Sequence, residues 1–219
     1  MTAKPKRRWY QYSLRSMFVL TTLVAMACSW YAYEMKQAAE RRAAIWKIER
    51  LGGEVVYYNA ADPHTPGEPP SWHSWLRKLH GDAHLGNPAS VVLRTNEVTD
   101  DDLVNVKCLP NLQVLLLDGT QTSDAGLARL KDLDKLAVLG LAATQITDRG
   151  VAQLKSFSDL QWIDLFDTQI TDTGLMYVEG LKNLEYIDLG NTEVTDEGVK
   201  RLQEALPSCT INPKPPSQR

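Results

Sequence analysis

Five carboxylates recur at one fixed interval in this chain. Asp100, Asp124, Asp148, Asp172 and Asp196 lie 24 residues apart, each directly after a serine or threonine. Carboxylates held in register can ligate a metal or share a proton as an acid–base pair. These, however, fall once per interval just ahead of a helical pattern. Ser, Thr and Asp are helix N-cap residues, and a carboxylate there also complements the helix dipole. The ladder is therefore assigned to capping. Gly126, Gly150, Gly174 and Gly198 keep the same interval and are assigned to close packing, since no G-x-x-x-x-G-K-S/T phosphate loop is present.

The remaining chemistry-bearing residues form no constellation. His80 and His84 have the i, i+4 spacing of a helical metal pair, but Gly81 and Asp82 between them weaken the helix that would align them. His64 and His73 are expected in exposed positions. Cys28 falls in an apolar stretch, while Cys108 and Cys209 sit at opposite ends of the periodic region. Four repeats at about 4.8 Å each separate that pair by roughly 19 Å, beyond the ~7 Å a disulfide spans. There is no G-x-S-x-G, nucleotide loop or zinc spacing. The expectation is a non-enzymatic chain with no cofactor, no metal and no small-molecule substrate.

The elements behind the ladder come from four aligned segments beginning at Leu112, Leu136, Leu160 and Leu184. A degenerate copy at 91–111 precedes them and a lone strand at 208–212 follows. Each opens L-x-x-L-x-L, as in Leu112, Leu115 and Leu117, which alternates as a short strand with one buried face. Three residues on comes Thr120, Thr144, Thr168 or Thr192, with Asn96 in the first copy, where a buried hydroxyl can bond neighbouring backbone. After the Ser/Thr-Asp pair, apolar residues recur at helical spacing, as in Leu127, Leu130 and Leu133.

Residues 90–212 thus resemble the leucine-rich repeat family, whose period is 20–29 residues. The Thr-Asp-x-Gly-Leu form resembles the subclass found in eukaryotic F-box proteins and several bacterial repeat proteins. The resemblance implies an α/β solenoid with a parallel sheet on its concave side and short helices on its convex side. The whole chain resembles short bacterial membrane-anchored leucine-rich repeat proteins, a resemblance that names an architecture rather than an activity.

The N-terminal quarter has a different composition. Residues 17–33, MFVLTTLVAMACSWYAY, carry no charge and lie between Trp9, Tyr10 and Tyr12 on one side and Trp30, Tyr31 and Tyr33 on the other. Tyr12 to Trp30 as helix spans roughly 27 Å, near hydrocarbon thickness, with aromatic side chains at both boundaries. The expectation is a basic tail (1–16), a transmembrane helix (17–33) and a juxtamembrane helix (34–51). A cleaved signal peptide ending Ala25-Met26-Ala27, or a lipoprotein at Cys28, is the competing reading. Residues 52–89 are expected to cap the first repeat, through a strand at 54–58, a Pro-rich loop at 60–71 and a helix carrying Trp72, Trp75, Leu76 and Leu79. Residues 213–219 are expected to be a disordered tail.

Charge divides the chain at the same place. Residues 1–51 hold 10 Lys and Arg against 3 acids, a net of +7; the rest holds 14 against 24, a net of −10, giving the −3 of the whole chain. The basic end suits an anionic lipid surface, and the acidic repeats leave no basic stripe for nucleic acid. Within residues 1–51, five Lys and Arg lie on each side of the apolar run, a tie by count. Those before it cluster without an acid in a short tail ahead of a large folded domain, so a cytoplasmic N-terminus with exported repeats is expected.

A solenoid presents a long curved surface for binding. The residues between the buried leucines face it: Val114, Val138, Trp162 and Tyr186 in one column, then Leu116, Gly140, Asp164 and Asp188, then Asp118, Ala142, Phe166 and Gly190. The candidate partner site is Trp162, Asp164, Phe166, Tyr186 and Asp188 with Val138 and Leu116, taking a protein or peptide. An F-box-like substrate adaptor in ubiquitin-dependent degradation and a histidine-metal hydrolase are the alternatives. The first lacks the soluble helical domain of ~40–50 residues that an F-box requires.

Overall fold

Alternation in the L-x-x-L-x-L segments becomes a seven-stranded sheet in chain order, β1 (Glu54–Tyr57), β2 (Pro88–Val92), β3 (Val114–Leu116), β4 (Val138–Gly140), β5 (Trp162–Asp164), β6 (Tyr186–Asp188) and β7 (Thr210–Asn212). The structure is a computed structural model and describes residues 14–57 and 88–212, with side chains from residue 17. The Pro-rich loop, the expected helix at 72–79, all four histidines and the 213–219 tail lie outside these residues. β1 pairs antiparallel with β2; every later pair is parallel with a 24-residue offset, as in Ser90↔Val114, Trp162↔Tyr186 and Tyr186↔Thr210.

Between strands the chain returns through short helices, α2 (Leu103–Val106), α3 (Asp124–Arg129), α4 (Asp148–Val151, continued by a 3-10 turn at Ala152–Ser156), α5 (Asp172–Val178) and α6 (Asp196–Ala205). One coil is thus strand, turn and helix in 24 residues, a leucine-rich-repeat-like α/β solenoid. Leu115, Leu139, Ile163 and Ile187 on the strands and Leu127, Val151, Leu175 and Leu202 on the helices belong to one buried core.

The chain divides into two compact units, Met1–Ala39 and Glu40–Arg219. α1 runs uninterrupted over Leu14–Arg50, through both the apolar run and the helix expected after it. No helix among the described residues is long and apolar enough to cross a membrane. The charge-free run is only 17 residues and includes Thr21, Thr22 and Ser29, with Glu34 directly after it. Met17, Phe18, Leu20, Leu23, Val24, Met26 and Trp30 along it are exposed.

In the second unit, α1 ends in a Schellman turn. Gly52, at φ 76°, donates to Glu49 O and Gly53 donates to Ile48 O, which fits glycine's freedom at positive φ. Ala44 and Ile48 are buried, and Ile45, Leu51 and Val55 pack against the core, so this helix end and β1 cover the first coil. Trp46 on the same helix end is 59% exposed, with the Arg50 guanidinium 5.4 Å from its ring centre.

The turn after each strand follows one rule that sequence reasoning missed. Ala143, Asp167 and Asn191 have φ of 53°, 56° and 54°, and Gly119 in the same place has 70°. This left-handed residue lets the next threonine fold back: Thr120, Thr144, Thr168 and Thr192 are buried and donate to the carbonyls of Leu117, Leu141, Leu165 and Leu189 at 2.6–2.7 Å. Asn96 departs from the pattern and is exposed. A Cβ in the left-handed region costs roughly 1–2 kcal/mol, partly offset by glycine's entropy loss. Ala143→Gly is therefore expected to stabilise the chain by about 0.5–1 kcal/mol, and Gly119→Ala to destabilise it by about 1 kcal/mol. Nothing lies within 4 Å of the Cβ that Gly119→Ala would add, so urea melts of the pair isolate backbone strain. Equal midpoints for both variants would refute this account.

Candidate functional site

The capping ladder is the most regular polar array in the structure, and it works between coils. Ser123, Thr147, Thr171 and Thr195 are the N-caps of α3 to α6, accepting from Ala125, Arg149, Thr173 and Gly198 N–H. Each cap is gripped by the aspartate of the preceding coil. Asp124 accepts from Thr147 N–H (2.8 Å) and hydroxyl (2.6 Å), and Asp172 does the same for Thr195 at 2.8 and 2.7 Å. Asp100 and Asp148 hold Ser123 and Thr171 alike. The glycines explain themselves here, because a Cβ on Gly126, Gly150, Gly174 or Gly198 would collide with that carboxylate. The first coil has no predecessor of this kind, and Thr99 N–H and hydroxyl bond Asp102 of their own coil at 3.0 and 2.9 Å.

Four of the five ladder carboxylates, Asp100, Asp124, Asp148 and Asp172, spend their oxygens on the next coil, so the ladder is a staple rather than a site. Removing two half-exposed bonds with Asp172→Ala should cost about 1–2 kcal/mol. Gly198→Ala alone should also destabilise, yet in the Asp172→Ala background it should become neutral or gain up to about 1 kcal/mol from helix propensity. Additive effects in a double-mutant thermal-melt cycle would sink the staple.

The candidate partner residues lie on the sheet face opposite the core. The parallel register places Val138, Trp162 and Tyr186 side by side, with the two rings stacked 5.7 Å apart at 9° between planes. Phe166 is 41% exposed, and its ring lies 2.8 Å from where a Cβ on Gly190 would be, so this glycine gives the phenyl its bed. Leu116 leans over Gly140 in the same way. Asp164 and Asp188 neighbour each other across β5 and β6.

The two carboxylates differ in their bonding. Asp188 accepts from Gly190 N–H (2.8 Å), Asn212 Nδ2 (2.8 Å) and Tyr186 hydroxyl (3.3 Å). Asp164 accepts one bond, from Phe166 N–H at 2.9 Å. Burial holds the Asp164 carboxyl above the ordinary aspartate range; the Phe166 bond opposes that, and Asp188 and Asp118 add to it. Burial, with Asp188 beside it, likewise raises the Tyr186 phenol. Asp118 bonds Ala142 N–H at 3.2 Å and pairs with Arg94 at 3.3 Å. Asn212 and Arg94 were missed by sequence reasoning, though both lie one 24-residue step from face positions already named. No group of three or more metal-ligating side chains occurs among the described residues.

The fourth repeat carries the decisive likeness. Residues 180–202 match a family model described as Leucine Rich repeat. The match spans one repeat of the chain. No curated protein matches the chain. Among solved structures, an internalin of Listeria monocytogenes is 27% identical, covering 50% of this chain and 30% of its own, at a TM-score of 0.44. A leucine-rich repeat protein of Leptospira interrogans is 24% identical, covering 50% and 27%, at 0.40. A second Listeria internalin, C2, is 17% identical over 62% of this chain and 75% of its own, also at 0.40. The chain therefore spans less than a third of the first two structures. None of these matches indicates an enzyme family.

Proposed function

We propose that this leucine-rich repeat chain is a non-enzymatic binding module that takes a protein or peptide partner on the open face of its sheet and is held at a membrane by α1. The observation carrying the first half is the Trp162–Tyr186 stack with exposed Phe166 beside it. Large aromatics with few rotamers, set on rigid strands, are what interface hot spots use. The test is crosslinking and affinity capture from native membranes with the full chain. A partner retained by wild type and lost from the Trp162→Ala, Phe166→Ala, Tyr186→Ala triple variant supports the reading; equal retention by both defeats it.

Membrane attachment is supported by the exposed apolar surface of Met17 to Trp30 and by the basic residues Lys4, Lys6, Arg7, Arg8 and Arg15 before it, whose clustering in a short tail favours a cytoplasmic N-terminus and exported repeats although five Lys and Arg also follow the run. The protein is expected to stay in the pellet through high-salt and carbonate washes with residues 1–30 attached. An intact mass beginning at Cys28 would replace the anchor by a cleaved leader.

A further inference from the structure

We propose that the open face recognises an arginine side chain of its partner, with the guanidinium bonded to Asp164 and packed against the Trp162–Tyr186 rings. The inference rests on the open-face reading above and adds the chemistry of the occupant. Among the described residues the face carries three carboxylates, Asp118, Asp164 and Asp188, against one cation, Arg94, which is already paired with Asp118. Asp188 has its oxygens occupied by three donors, whereas Asp164 accepts only from Phe166 N–H. An ionised carboxylate offers about four acceptor sites and can take a bidentate guanidinium. Among the described residues, no cation lies within ion-pair distance of Asp164.

The neighbouring rings share the preference. Their faces are electron-rich, and cations, arginine above all, are drawn to them. Asp164 is two residues from Trp162 on β5, and Asp188 two from Tyr186 on β6, so ring and carboxylate alternate on both strands. A planar guanidinium can offer a two-pronged fork to the carboxylate and a flat face to the rings, whereas an ammonium is a point charge with neither. Burial that keeps Asp164 partly desolvated strengthens its pull on an arriving cation. An acidic or phosphorylated segment is repelled by the same surface.

The test uses the full chain in detergent micelles and three probes: N-acetyl-arginine methylamide and its citrulline and lysine counterparts. The readout is the NMR shift of the Trp162 indole N–H and the Phe166 amide during titration. The arginine probe is expected to shift both saturably, the lysine probe severalfold more weakly, and uncharged citrulline on the order of tenfold more weakly or not at all. Asp164→Asn should weaken the arginine probe about tenfold. An asparagine oxygen still accepts from Phe166 N–H, and removing a half-buried charge should leave this variant melting no lower than wild type at pH 7. Asp132→Asn, on an exposed loop at the helical side, serves as the unchanged control.

Citrulline matching arginine, lysine exceeding it, or an unaffected Asp164→Asn would each overturn the inference. So would an arginine probe that leaves both resonances still. In those cases partner capture through Trp162, Phe166 and Tyr186 would stand or fall separately, because it is read with the native partner and not with these probes.

Discussion

Leu165→Ala is expected to destabilise the repeats by about 2–5 kcal/mol, the range for a fully enclosed leucine whose neighbours collapse only partly into the cavity. Leu165 is wholly buried in the fourth coil, and its N–H is bonded to Asp188 O at 3.0 Å, so backbone movement to fill the space is restrained. Two comparators give the experiment its meaning. Thr168→Val is nearly the same size but removes the 2.6 Å bond to Leu165 O, and should cost about 1–3 kcal/mol. Gln169→Ala removes an exposed side chain and should change little. The order is read from urea midpoints of the full chain. Three equal and small shifts would mean that the strand phase is misassigned.

The second large effect concerns binding. Truncating Trp162, Phe166 or Tyr186 to alanine should each weaken a captured partner by about 2 kcal/mol or more, near thirtyfold. Each removes broad apolar area, Trp162 and Tyr186 from strands and Phe166 from the turn after β5. Lys155→Ala and Lys182→Ala, exposed on the helical side, should be almost silent. Calorimetry with the two sets decides which surface is used, and the melting temperature must hold within a few degrees for the aromatic set to count. Larger losses from the lysines would move the site to the other face.

Strand phase was legible because two periodicities agree. Alternation within L-x-x-L-x-L fixes which side chains are buried, and the 24-residue offset fixes which neighbours they meet, so the juxtaposition of Trp162 with Tyr186 followed directly. The left-handed turn was not legible. Gly119, Ala143, Asp167 and Asn191 have no common chemistry, and only glycine and asparagine hint at positive φ. Nor could the sequence say whose helix an aspartate serves. Ser/Thr-Asp suits a cap of its own helix, whereas here the carboxylate reaches the next coil, a relation visible only once the glycine beneath it is seen to leave the room. At the face, Asp164 and Asp188 were equal by pattern. What separates them is two donors, the register neighbour Asn212 and the Tyr186 hydroxyl, which bond one carboxylate and have no counterpart at the other.

The staple also has a direction. Asp100 holds Ser123, Asp124 holds Thr147, Asp148 holds Thr171 and Asp172 holds Thr195, so every acceptor precedes its donors in the chain. In the opening coil Thr99 is held instead by Asp102 of the same coil. On a ribosome, which emits the chain from the N-terminus, each newly exposed hydroxyl therefore follows the carboxylate that will hold it. The array is polar in the sense that a filament is polar, with every link running the same way and its two ends chemically unlike.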